Sequence, residues 1–191
     1  VAKRNSPTVL DQALNYIKNN ATQQVACTGE PTTAYEACDP AAWAASTAYS
    51  LGAAVRPTAR NTFVYEVTTA GTSAATEPTW PTTPGNTVVD GTVTWTCRTN
   101  RALAAATMAS GDFTVANGDG AGNTPRKVTM AAKSGASVFR TASADHVAIV
   151  KPGNASTPPE LFEVTTCTSQ SLTSGNTVNF PTWKIEIAAA T

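Results

Sequence analysis

Between Pro7 and Asn20 the apolar residues Leu10, Ala13, Leu14 and Ile17 recur at i, i+3, i+4 and i+7. That spacing predicts one amphipathic helix. Pro7 and Thr8 suit its start, Asp11 is placed in the first turn to complement the macrodipole, and Asn19 and Asn20 are terminating residues. Beyond it the period shortens to two. QQVACTG reads as a short strand and GEPTTAYEA as a turn followed by a loop. LAAATMA fits either a strand or a short helix. After Asp112, Phe113 and Val115 alternate on one predicted strand and Val128 and Met130 on the next, joined by a Gly/Asn loop. A strand is predicted over 146–150, and LFEVTTCTSQSL and NTVNFPTWKIEIA supply the last two. Short strands at intervals near ten residues, separated by turn signals, point to a sandwich or barrel. The expected class is mainly β, a β-sandwich or barrel with one N-terminal amphipathic helix.

The pattern breaks between Cys38 and Cys97, where aromatic rings concentrate: Trp43, Tyr49, Tyr65, Trp80 and Trp95. FVYEVTT and TVTWTC are the best strands there, and EPTWPTTPGNTVVDG reads as a connection punctuated by proline and glycine, with Trp80 in its loop. Residues 40–97 are too few for a large core of their own, so they need aromatic packing, a neck disulfide or contact with the rest of the chain. The expected organisation is a discontinuous β-rich host domain, 1–39 and 98–191, carrying a small inserted β module, 40–97.

Charge and composition narrow the chemistry. Thirteen Lys and Arg balance thirteen Asp and Glu, which gives no electrostatic footprint for nucleic acid or an anionic membrane. No apolar run is long enough to span a bilayer, and VAKRNSPTVLD has a basic start without the apolar stretch of a secretory signal. A surface of Thr, Ser and Asn in place of Lys and Glu suits a secreted, cell-surface or virion protein. The four cysteines allow three pairings. A Cys38–Cys97 bridge would clamp the two ends of the cassette and leave Cys27 to pair with Cys167; four buried thiols are the alternative. With one histidine, His146, and no C-x-x-C motif, neither a metal site nor a cofactor is expected. On a regular strand Asp145 would face away from His146 and form no dyad with it. No G-x-S-x-G elbow or phosphate loop is present and the carboxylates are scattered, so an enzyme is not expected. NGDGAGN offers oxygens at Asn117, Asp119 and Asn123 but lacks the calcium-loop alternation, and reads as a hairpin turn. The candidate glycan contacts are Trp80, Tyr49 and Trp43, with Trp80 foremost because it sits between two prolines; packing inside a small core is the competing role for Trp43, Tyr65 and Trp95.

Two resemblances follow from particular phrases. ALNYIKNNAT, TTCTSQ and SGNTVNFP, with the outer segments around them, resemble a family of small structural proteins encoded by tailed bacteriophages. Members of that family run straight from the Tyr-Glu-Ala region into the Leu-Ala region near Leu103. The pattern Trp43, Tyr49, Gly52, Val55 and Tyr65, followed by AGTSAATEPTWP and DGTVTW, is similar to small carbohydrate-binding-like modules of phage virion proteins, and more distantly to chitin-binding modules of secreted chitinases. Those relatives often carry an acidic residue after the glycine, where this chain has Ala53. The resemblance implies a non-enzymatic virion protein, assembled in the host cytoplasm and placed on the particle surface. Capsid decoration with an outward-projecting module is the first expectation. A tail-tube or head–tail structural protein and a glycan-binding surface adhesin are the alternatives. The implied partners are the major capsid protein or other virion proteins, further copies in a homo-oligomer, and cell-surface glycans.

Overall fold

The computed structural model describes residues 6–119 and 125–187. Helix α1 (Pro7–Asn20) leads into strand β1 (Gln23–Cys27) and a short helix α2 (Ala34–Ala37). The cassette follows, with β2 (Ala48–Tyr49), β3 (Ala54–Val55), β4 (Phe63–Thr69), β5 (Gly71–Thr72), β6 (Thr87–Asp90) and β7 (Val93–Thr99). The chain then forms β8 (Ala102–Thr107), β9 (Phe113–Asn117), β10 (Arg126–Met130), β11 (Lys133–Ser137), β12 (Ala142–Lys151), β13 (Glu160–Leu172), β14 (Thr177–Phe180) and β15 (Trp183–Ile187). The protein is mainly β, as the alternation predicts.

The host is built on one antiparallel sheet, ordered β13-β12-β1-β8. Alternation along β1 splits its side chains between two cores. Ala26 packs with Leu103, Ala144, Leu172 and Phe180, under the two-stranded sheet β11-β14. Val25 and Cys27 pack with Ala37, Cys38, Ala148 and Val150. A third cluster joins the Ile149 end of the sheet to α1 and to the sheet β15-β10-β9 through Leu14, Phe113, Val128 and Met130. This layering of sheet on sheet is sandwich-like. Phe113 pairs with Met130 and Val115 with Val128, so the alternating residues read in the sequence meet in register.

The helix has the predicted bounds, but Ala13 is exposed and Leu14 is its one fully buried residue. Asp11 lies beyond the first turn; it accepts a two-pronged ion pair from the Arg126 guanidinium and ties α1 to β10. GEPTTAYEA is not all turn and loop. Thr33 caps α2 by accepting a hydrogen bond from Glu36 N at 3.3 Å. LAAATMA is a strand, β8. NTVNFPTWKIEIA makes two strands where one was expected, because Pro181 and Thr182 interrupt it. The cassette connection also contains a strand, β6, which turns into β7 through Gly91 and Thr92, with Asp90 paired to Val93; Gly91 has φ +63°, and a Cβ there would meet Thr72 O at 2.3 Å. Asn117 and Asp119 bind cations of their own sheet, Asn117 taking Arg126 and Asp119 taking Lys127 and Lys184. Asn123 lies outside the described residues.

Both expected disulfides are absent: all four cysteines are free thiols. The reason is placement. Cys38 points into the host core beside Cys27, while Cys97 belongs to the cassette core. Cys27 shares a sheet face with Val25, whereas Cys167 is exposed and lies beside Val147 and Ala26, on the other face. Burial pushes the Cys27 thiol up to about 12 and raises Cys38 further. A thiol reagent should therefore modify one cysteine, Cys167, quickly in the native protein and all four after denaturation. The thermal midpoint should not change when reductant is added. A native protein with no titratable thiol would contradict this arrangement.

Candidate functional site

The cassette has its own core. Trp43, Tyr49, Val55, Tyr65, Val67, Val93 and Trp95 pack together, with Trp80 against them. Its sheet is ordered β3-β4-β7-β6, with the short pair β2-β5 beside it. At its centre is the carboxylate of Asp90, which is 2% exposed. Oδ2 accepts from the indole Nε1 of Trp43 at 2.8 Å and of Trp95 at 3.0 Å, and Oδ1 accepts from Ala74 N at 2.8 Å. Three separate segments thus converge on one side chain. A buried carboxylate is tolerated when donors of this kind replace its water. Ser73 continues the pattern: its hydroxyl donates to Ala44 O at 2.7 Å and accepts from Thr47 N at 3.0 Å. The Tyr65 hydroxyl donates to Pro81 O at 2.8 Å and fixes the loop that carries Trp80.

These contacts set where the glycan candidates lie. Trp43 is 9% exposed and Tyr49 5%; Tyr49 stands edge-on to Trp95 with centroids 4.8 Å apart. Both lie in the cassette core: Trp43 takes the packing role that competes with sugar contact in the sequence, and Tyr49 joins it there. Trp80 keeps partial exposure. One face lies over Tyr65 at 4.2 Å, and Nε1 donates to Glu77 Oε1 at 2.8 Å. The most exposed large apolar residues of the cassette are aliphatic, Leu51 and Val89. Ala53, at the position after the glycine, is fully buried.

The cassette is joined to the host by a polar neck. Asn100 Nδ2 donates to Tyr35 O at 2.9 Å and to Cys38 O at 2.8 Å, which brings the entering and leaving chains side by side. The Tyr35 hydroxyl, from α2, reaches Gly52 O at 2.9 Å and Glu66 Oε1 at 3.0 Å. Arg60 grips Asp39 with two hydrogen bonds, 2.6 and 2.9 Å, and lies 4.2 Å over the Phe139 ring. Ser50 N donates to Ala155 O at 2.7 Å, and Ala155 packs against the cassette core. The partly exposed Arg60–Asp39 pair contributes at most ~1 kcal/mol. The Asn100 and Tyr35 contacts satisfy half-buried backbone and carboxylate groups, and they set the geometry.

Asp145 and His146 depart from expectation. They do meet: His146 Nδ1–H donates to Asp145 Oδ1 at 2.8 Å, and Gly29 N donates to the same oxygen at 2.6 Å. The register of β12 on β13 shifts between Ala144 and His146, and this bulge turns Asp145 out of strict alternation. The bond from His146, with that from Gly29, holds the Asp145 carboxyl below its usual range. Both groups are engaged in joining β12 to the turn after β1.

Burial pushes the Glu77 carboxyl up, but hydrogen bonds from Thr58 and from the Trp80 indole outweigh it and leave the group below its ordinary value of 4.5. A carboxyl depressed by folding stabilises above its unfolded value and loses that contribution as pH falls through the folded one. Acidification below about 4.5 should therefore loosen the Trp80 loop before the cassette unfolds, seen as a change in tryptophan fluorescence. Trp80→Phe should remove that step; an identical acid transition in the variant would disprove the assignment. Comparison with known protein families, characterised proteins and solved structures finds no match for this chain.

Proposed function

We propose that this chain is a non-enzymatic structural protein of a tailed-phage virion, a capsid decoration protein whose cassette projects from the host domain. One structural observation carries the reading. The cassette is a separately cored body whose two ends lie together at the Asn100 neck, so it stands on the host as an attached module. The resemblance of the outer segments to tailed-phage structural proteins supplies the setting. Free thiols with raised titration points fit assembly in a reducing cytoplasm. The burial of Trp43, Tyr49, Tyr65 and Trp95 favours a spacer or fixture over an aromatic sugar platform. Many weak contacts from repeated copies could still give avidity.

The test is immunogold labelling of intact virions with an antibody raised against residues 40–97. Label scattered over the heads is the expected result. Label confined to tails or necks would assign the chain to a tail or head–tail position. Absence of label on particles that contain the protein by mass spectrometry would overturn the projecting module.

A further inference from the structure

The neck between cassette and host carries more positive charge than it neutralises. A cleft of about 150 Å³ opens there, with Asp39, Arg60, Asn61, Asn100, Phe139 and Arg140 in its walls. Its one carboxylate, Asp39, is already shared by two guanidiniums. Arg60 holds both oxygens, at 2.6 and 2.9 Å, and Arg56 Nε lies 3.6 Å from Oδ1. The Cys38 thiol also lines the cleft, and burial keeps it protonated and uncharged. Arg140 therefore adds a third cation around a single anion.

Arg140 is half-buried, and no carboxylate among the described residues pairs with it. Its Nη1 donates to Asn100 O at 2.8 Å. Nε and Nη2 have no acceptor among the described residues, and neither is sealed from solvent. These two nitrogens form the side-on fork of a guanidinium, the edge that matches both oxygens of a carboxylate. Arg126 uses that same edge in this chain to hold Asp11. Burial lowers the pKa of Arg140, and no carboxylate counters the shift. A guanidinium stays charged even so, and a partly desolvated charge without a partner costs stability.

We infer that this cleft binds a carboxylate on a short apolar stem, whose two oxygens take the Nε and Nη2 edge of Arg140 while the stem rests against Phe63. The cleft is smaller than the roughly 300–1,000 Å³ of pockets that enclose whole small molecules, so it takes one group and not a sugar ring or a nucleotide. A phosphate dianion fits less well, because Asp39 stands in the same wall and repels a second negative charge more strongly. Arg60 contributes through its field alone: its terminal nitrogens are committed to Asp39 and its face to Phe139, 4.2 Å away. The carboxylate belongs either to a free small acid or to an acidic side chain of a bound polypeptide; the chemistry at Arg140 is the same. The inference holds whatever particle or surface carries the chain.

The test is titration of the full-length protein with butyrate, followed through the arginine Nε–H resonances. The Arg140 resonance, identified by its loss in Arg140→Met, should shift and saturate. Butyramide, the uncharged counterpart, should leave it in place. Arg140→Met also gives up the bond to Asn100 O, so a second variant leaves that bond intact. Thr62 is exposed on the cleft wall, and the carboxylate of Thr62→Glu should weaken butyrate at least ~5-fold with circular dichroism unchanged. Titration with acetyl-Gly-Glu-Gly-amide separates the two sources. Tighter binding than butyrate supports an acidic side chain and weaker binding a free acid, both at Arg140. The proposal is overturned by a shift that does not saturate, by an equal shift with butyramide, or by undiminished binding in Thr62→Glu. Inorganic phosphate binding more tightly than butyrate would overturn it as well.

Discussion

The cassette depends on one buried carboxylate. Asp90 has no cation beside it in the contacts that define the site; it is held by two indole N–H groups and a backbone amide. Those donors fix Trp43 and Trp95 with their polar edges inward, and the two rings set the positions of Tyr49, Tyr65 and Trp80 around them. Aromatic rings bury ~150–250 Å² each, which allows a module this small to have a core. The same constraint removes most of its rings from the surface. One interaction therefore shapes both the stability of the cassette and the kind of surface it can offer.

The cassette meets the rest of the chain through local contacts. Asn100 and Tyr35 satisfy groups on both sides of the neck, and Arg60 crosses from the cassette to Asp39 and Phe139. No covalent clamp is needed. Cys38 and Cys97 face different cores, so closing a disulfide between them would require one core to open. With the two ends of the cassette side by side, the central sheet β13-β12-β1-β8 runs without a cassette strand in it.

Periodicity made much of the fold legible. Helix α1 and the strands around Phe113, Val128, Tyr65 and Trp95 follow from local spacing, because each buries one face against a neighbour. Features governed by a single turn or bulge were harder to read. The four-residue α2 left one signal, Thr33 followed by Glu36, the pattern of a capping box. Strand β6 was hidden in a segment rich in proline and glycine, although a two-residue loop with glycine first, Gly91-Thr92, between apolar residues is a hairpin signal. The bulge at Asp145 leaves no trace in alternation, so its bond to His146 could not be foreseen. In the cassette, core packing of Trp43, Tyr65 and Trp95 was readable from the concentration of rings in a short segment, and all three are buried; the group that orients them was not. An aspartate before a glycine looks like a turn residue, and only the tertiary fold brings Trp43, Ala74 and Trp95 to it.

If Asp90 organises the cassette as a separate cooperative unit, native-state hydrogen exchange of the parent and of Asp90→Ala shows it directly. The substitution leaves two buried indole donors unpaired, at about 1–3 kcal/mol each, so amides of β4 and β7 should lose protection by ~100-fold or more. Amides of β1 and β12 should keep theirs. Equal loss in the host strands, or unchanged protection in the cassette, would contradict the account.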